Sequence, residues 1–185
     1  MQDDLGKQRL FFGLRPPAEC ALYWLKTAHG ELGDPLGLRW QSQGDVHLTV
    51  YFLGEIGAGC LSRLTSRMAT AVAGSGPVEV ETGPGLWFPE APRPVVLVAS
   101  VHLGSALAAL ARTVAQVVKD IGLPVDPRPF QPHITLARLR GQRSTRPLPP
   151  RFTPKVFTVS ELVLYESRSA ASGMRYFPRH VFSLI

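Results

Sequence analysis

The stretch VHLTV, Val46 to Val50, alternates apolar and polar residues at the period of a half-buried strand. Successive strand side chains point to opposite faces, so His47 and Thr49 share one face while Val46, Leu48 and Val50 share the other. Far along the chain, HITL (His133 to Leu136) repeats the arrangement, with Ile134 and Leu136 behind His133 and Thr135. Each strand is expected to bury its aliphatic side and hold up an imidazole beside a hydroxyl. There are five histidines and ten threonines. Two of five histidines with Thr at the second position beyond them arise by chance about 2–3% of the time. One such motif says little; the pair carries weight.

The flanking sequence alternates strands and helices. RLFFGLRPP (Arg9 to Pro17) reads as a strand stopped by prolines. A helix follows from Pro17 with Leu22, Leu25 and Ala28 on its apolar face, ending at His29-Gly30 with His29 as a cap. Val46 to Leu53 is the first motif strand. A second helix is expected from about Gly59 to Ala73, with Leu61, Leu64, Met68 and Val72 inward. Val78 to Thr82 reads as a short strand before a turn-rich GPGLWFPEAPRP, and Val95 to Val101 as a central strand apolar on both faces. Ser105 to Ile121 is the clearest helix, carrying Leu107, Leu110, Val114 and Val117. Strands over His133–Leu139, Val156–Ser167 and Arg175–Leu184 complete the order βαβαββαβββ. That order predicts an α+β fold with helices covering mainly antiparallel sheet.

At 185 residues, 45% hydrophobic and 18% charged, the chain fits a single globular domain over 1–185 rather than a disordered one. No apolar run approaches the roughly 18 residues that span a bilayer, and MQDDLGKQRL is too acidic and polar for a signal peptide. Cys20 and Cys60 have neither CxxC nor metal-ligand spacing, so they are expected as reduced, buried thiols in a cytoplasmic protein. Net charge is +6, with 16 Arg against 4 Lys. From Asp126 to Lys155 six Arg and one Lys face a single Asp. The planar guanidinium fork matches phosphate, so a nucleic-acid partner fits, and so does a plain solvated basic face.

Two imidazoles on opposite sides of a phosphodiester can act as general base and general acid in an in-line displacement. Their ordinary pKa lies near neutrality, so they can exchange roles when the reaction runs backwards. The hydroxyls can donate to the non-bridging oxygens as charge builds there. A zinc site is a poor rival, because two histidines without a neighbouring carboxylate or Cys make an incomplete ligand set. His102 and His180 have no Thr partner and read as loop or strand-end residues. Tyr51, Phe11 and Phe12 read as core packing before base stacking.

RLFFGLRPP, DVHLTVYFLGEI, RPFQPHITLAR and LVLYESRSAASGMRY, in this order, resemble the 2H phosphoesterase superfamily and, within it, the RNA 2′,3′-cyclic phosphodiesterases also called 2′-5′ RNA ligases, the LigT or ThpR branch. The resemblance runs nearly end to end. It implies a bilobal, pseudo-twofold fold with antiparallel sheets flanking a central cleft and helices outside. It implies hydrolysis of RNA 2′,3′-cyclic phosphate ends, tRNA fragments among them, to 2′-phosphomonoesters, and a weak, reversible 2′-5′ joining of RNA ends. No metal or other cofactor is implied, and the protein is expected as a monomer. Carried onto this chain, His47 would protonate the leaving oxygen and His133 would activate water, with Thr49, Thr135 and Arg138 binding the phosphate. Arg138 lies five residues from His133, so strict alternation sends it to the opposite face unless a bulge intervenes. Two rivals stand beside this reading. One is a non-catalytic RNA-binding module. The other is a superfamily phosphodiesterase for small cyclic nucleotides, to which the Arg140–Arg151 loop would be surplus.

Overall fold

The computed structural model describes residues 6–33, 37–89, 96–139, 147–170 and 173–185. Strand β1 (Lys7–Leu14) leads into helix α1 (Ala18–Leu32), a three-residue strand β2 (Leu38–Trp40), a single 3₁₀ turn (Gln43–Asp45) and strand β3 (Leu48–Gly57). Helix α2 (Ala58–Val72), strands β4 (Val78–Phe88) and β5 (Val96–Val101), helix α3 (Ser105–Asp120) and strand β6 (His133–Leu139) follow. Strands β7 (Val156–Val159), β8 (Glu161–Ala170) and β9 (Gly173–Ser183) end the chain. The sheet order is β7-β4-β5-β6-β3-β1-β8-β9, with β2 on β6, and every ladder is antiparallel.

That order is a palindrome. Read outward from the β6–β3 junction, β3, β1, β8, β9 mirror β6, β5, β4, β7. Each half carries a strand, a helix and then an H-x-T segment: β1-α1-β3 and β5-α3-β6. The sheet also curls. Ser160 alone joins β7 at one end of the order to β8 near the other, and one residue spans at most about 3.6 Å. Those two strands must therefore meet, which bends the sheet into a half-barrel. Leu184 N–H donates to the Ser160 carbonyl at 2.9 Å and ties the closing point.

Several elements depart from the sequence reading. Helix α1 runs through Gly30 and ends at Gly33, whose φ of 61° suits the left-handed region. A mid-helix Gly costs about 1 kcal/mol, which burial of Leu32 in the last turn, worth about 1.5–3 kcal/mol, outweighs. Its inner face is set by the fully buried Trp24, with Cys20, Ala21, Ala28 and Leu32, while Leu22 is exposed. Strand β4 continues through GPGLWF, which the prolines and glycines had suggested as turn. A register shift between Thr82 and Gly85 absorbs Pro84. A Cβ at Gly85 would lie 2.5 Å from the Pro150 carbonyl, so only glycine lets that backbone approach. The expected strand Val156–Ser167 is two, because the chain changes sheet neighbours at Ser160. β2 was not expected at all. Cys60, expected buried, is exposed; Cys20 is buried, and both thiols are free.

Candidate active site

The two motifs meet at the symmetry junction. Strands β3 and β6 pair at a single position, Leu48 opposite Ile134, both buried. In an antiparallel register this sets His47 opposite Thr135 and Thr49 opposite His133. All four side chains stand on the face away from Leu48 and Ile134. β3 begins at Leu48 rather than Val46, since His47 leaves the 3₁₀ turn just before the ladder starts. Burial still alternates through Val46, His47, Leu48, Thr49 and Val50, so the shared face survives.

Each imidazole is aimed by the same device. His47 Nδ1 lies 2.6 Å from the Asp45 carbonyl, and His133 Nδ1 lies 2.8 Å from the Gln131 carbonyl. A carbonyl only accepts, so each Nδ1 carries the proton and each Nε2 is left for chemistry. Both anchors lie two residues before their histidine, one more expression of the twofold. Each ring is also packed by an aromatic: Phe88 stacks on His133 at 4.3 Å, and Phe11 lies 4.7 Å from His47 with Tyr176 edge-on at 4.6 Å. Neither Thr49 nor Thr135 has a side-chain hydrogen-bond partner among the described residues.

Arg138 shares this face because β6 bulges. Leu97 pairs with Ala137 and its neighbour Val98 with Thr135, so Leu136 is an extra residue. The bulge inverts the alternation, leaving Ala137 buried and Arg138 exposed. Its charge reaches both histidines. Desolvation first, then Arg138 and His133, pull His47 down to about 4 against the raising effect of Asp45. His133 is lowered too, by desolvation and by Arg138, with the Gln131 carbonyl opposing.

Two hollows flank the pair. A groove of about 760 Å³ on the His133 side is lined by Thr49, Tyr51, Phe88, Phe130 and His133, with Ala108, Ala111 and Ala115 of α3 keeping one wall low. Tyr51 is more than a core residue. Its hydroxyl accepts the Asp126 N–H at 3.0 Å, and the Asp126 carboxylate, held down to about 2, grips Arg128. Tyr51 thus pins the segment that leads to Gln131 and His133. The smaller hollow, about 240 Å³, lies on the His47 side among Arg39, Trp40, Asp45, Arg138 and Arg175. Buried Asp45 accepts from Ser42 Oγ at 2.6 Å, Tyr176 N–H at 3.1 Å and Arg175 Nε at 2.9 Å.

Sequence reasoning named His47, Thr49, His133, Thr135 and Arg138, and the structure brings all five to one face. It missed Asp45 and Gln131, which act on the imidazoles through backbone carbonyls and leave no side-chain signature. It also missed Phe88, Arg175 and Tyr176, which arrive from remote strands. Phe12 is core, packed near Phe182, whereas Phe11 packs on the imidazole. Arg140, Arg143 and Arg146 of the basic loop lie outside the described residues.

A half-barrel with two symmetry-related H-x-T segments over one cleft defines the 2H phosphoesterase class. Residues 16–171 match the family model described as the 2′-5′ RNA ligase superfamily. The chain belongs to that family. It is 34% identical over 143 residues to an RNA 2′,3′-cyclic phosphodiesterase of Geobacillus stearothermophilus, covering 75% of this chain but 46% of that protein. A protein of the same name from Escherichia coli is 31% identical over 92% of this chain and 93% of its own length. The crystal structure of Escherichia coli LigT complexed with 3′-AMP superposes with TM-score 0.80 at 25% identity, covering 96% and 98% of the two chains.

Proposed function

We propose that the protein hydrolyses 2′,3′-cyclic phosphate ends of RNA to 2′-phosphomonoesters, with 2′-5′ joining as the same chemistry run with a ribose 5′-hydroxyl in place of water. The observation that carries the reading is the pair of Nε2 atoms, presented to one cleft by identical carbonyl anchors. Water attacks phosphorus opposite O3′, His133 Nε2 takes its proton, the P–O3′ bond breaks, and His47 Nε2 protonates O3′. The phosphate stays on O2′. Thr49, Thr135 and Arg138 hold the non-bridging oxygens as charge builds. The aromatic-lined groove beside His133 suits the nucleoside of an incoming 5′-hydroxyl strand. The names of the relatives and the 3′-AMP in the LigT complex support the substrate class. No step calls on a metal. All five proposed site residues come from one chain, so a monomer suffices, and two free cysteines suit a cytoplasmic setting. Among the described residues no helix is long and apolar enough to cross a membrane.

The decisive experiment follows an RNA oligonucleotide ending in a 2′,3′-cyclic phosphate, in EDTA, with wild type, His47→Ala and His133→Ala. The wild type should yield a 2′-phosphate, and each substitution should cost about 10²–10⁴-fold. A 3′-phosphate product refutes the leaving group. A wild type that binds RNA without turnover replaces the enzyme by a binding module.

A further inference from the structure

The 240 Å³ hollow on the His47 side is built around positive charge. Arg39 of β2 and Arg138 of β6 are direct cross-strand partners. Like charges set opposite one another in an antiparallel pair are destabilising. Other arginines have carboxylates: Arg128 has Asp126, Arg168 and Arg179 share Glu166, and Arg175 has Asp45. Among the described residues no carboxylate lies within ion-pair distance of Arg39 or Arg138. The single acid of the hollow, Asp45, already serves Ser42, Tyr176 and Arg175. Three guanidinium groups against one engaged carboxylate leave an excess of positive charge. The arm of Arg39 passes close over Gly173, where an added Cβ would lie 3.1 Å from its Cδ. At about 240 Å³ the space far exceeds the roughly 30 Å³ of a water.

We propose that this hollow, where Arg39 and Arg175 stand beside the Arg138 that reaches the scissile phosphate, is a second phosphate subsite that holds the backbone phosphate on the 5′ side of the terminal nucleotide. The assignment rests on the reading above. If His47 protonates O3′, the terminal ribose lies on the His47 side of phosphorus and its own 5′-phosphate extends toward the arginines. The attacking water, or the incoming strand, enters from the His133 side. The enzyme is then built for a strand, preferring a dinucleotide end to a cyclic mononucleotide.

The test compares 3′-AMP with the 3′-phosphorylated dinucleotide ApAp for binding, and their 2′,3′-cyclic forms for kcat/KM, in wild type, Arg39→Gln and Arg39→Lys. Removing a charged phosphate contact should lower the dinucleotide-to-mononucleotide ratio about tenfold or more in both measurements, with Arg39→Lys keeping most of it. Thermal unfolding checks that each variant is folded. A ratio unchanged by Arg39→Gln overturns the subsite. Weakened binding of a 5′-hydroxyl ApA alone, with ApAp spared, gives the phosphate to the incoming strand and overturns the assignment. If the wild type turns over neither cyclic form, the proposed reaction has failed, and the binding ratio still decides the subsite.

Discussion

Two histidines with the same local anchor need not share the same work. Burial and Arg138 hold His47 at about 4 and His133 below its ordinary value, so at neutral pH both are largely unprotonated. A base is therefore at hand and an acid is not. Under the proposed roles, the proton on His47 arrives with the substrate, since an incoming phosphodiester anion offsets Arg138 and favours the imidazolium. The division of roles can be tested by removing the need for an acid. On a p-nitrophenyl phosphodiester, whose leaving group departs without a proton, His47→Ala should lose less than about tenfold while His133→Ala still loses about 10²–10⁴-fold. The reverse pattern would exchange the two roles and leave the site intact.

At the scale of elements, the site depends on where chains end and bulge rather than on regular strands. The 3₁₀ turn before β3 carries Asp45, whose carbonyl aims His47 while its carboxylate is tied to β9. Asp45→Ala leaves the carbonyl but frees the turn from Tyr176 and Arg175. It should cost about 1–3 kcal/mol of stability, read from urea unfolding, and about tenfold in kcat/KM for the cyclic mononucleotide, measured well below the unfolding temperature. Asp45→Asn, which can still accept the Tyr176 N–H, should recover much of both. Equal loss of activity in both variants would mean that charge, not placement, is what Asp45 supplies. The same features explain what the sequence could tell. Period-two alternation exposed both H-x-T faces, and β6 and α3 were read to within a residue, because local pattern and tertiary burial agree there. β2 was too short for any periodicity, and the strand character of GPGLWF depends on partners in β5 and near Pro150. Arg138 was placed by one inserted residue, Leu136, that no alternation rule predicts. Asp45 and Gln131 were hidden because a backbone carbonyl has no side-chain identity.

For the whole molecule, the curled sheet fixes the cleft's chemistry and makes stability answer to it. Pairing β3 with β6 at the centre of that sheet sets the two lobes' motifs side by side, and burial there takes water away from His47. A histidine whose folded pKa is about 4, against about 6.5 unfolded, binds its proton more readily in the unfolded chain. Between those values the unfolded state holds more protons, so stability rises with pH and is lost as pH falls from about 6.5 toward 4. For His47 alone this is on the order of 3 kcal/mol, at about 1.4 kcal/mol per unit, and His133 adds in the same direction. The depressed Asp126 acts in a lower window, from its ordinary value of 3.8 down to about 2, and so does not mask the effect. Urea midpoints at pH 7, 5.5 and 4.5 should therefore fall steeply for the wild type and less for His47→Gln, with the gap between them shifting toward the variant as acid is added. Parallel curves would mean that His47 titrates near its ordinary value in the folded protein. In that case the cleft is wetter than its packing against Phe11 and Tyr176 implies, and the acid could be charged before the substrate arrives.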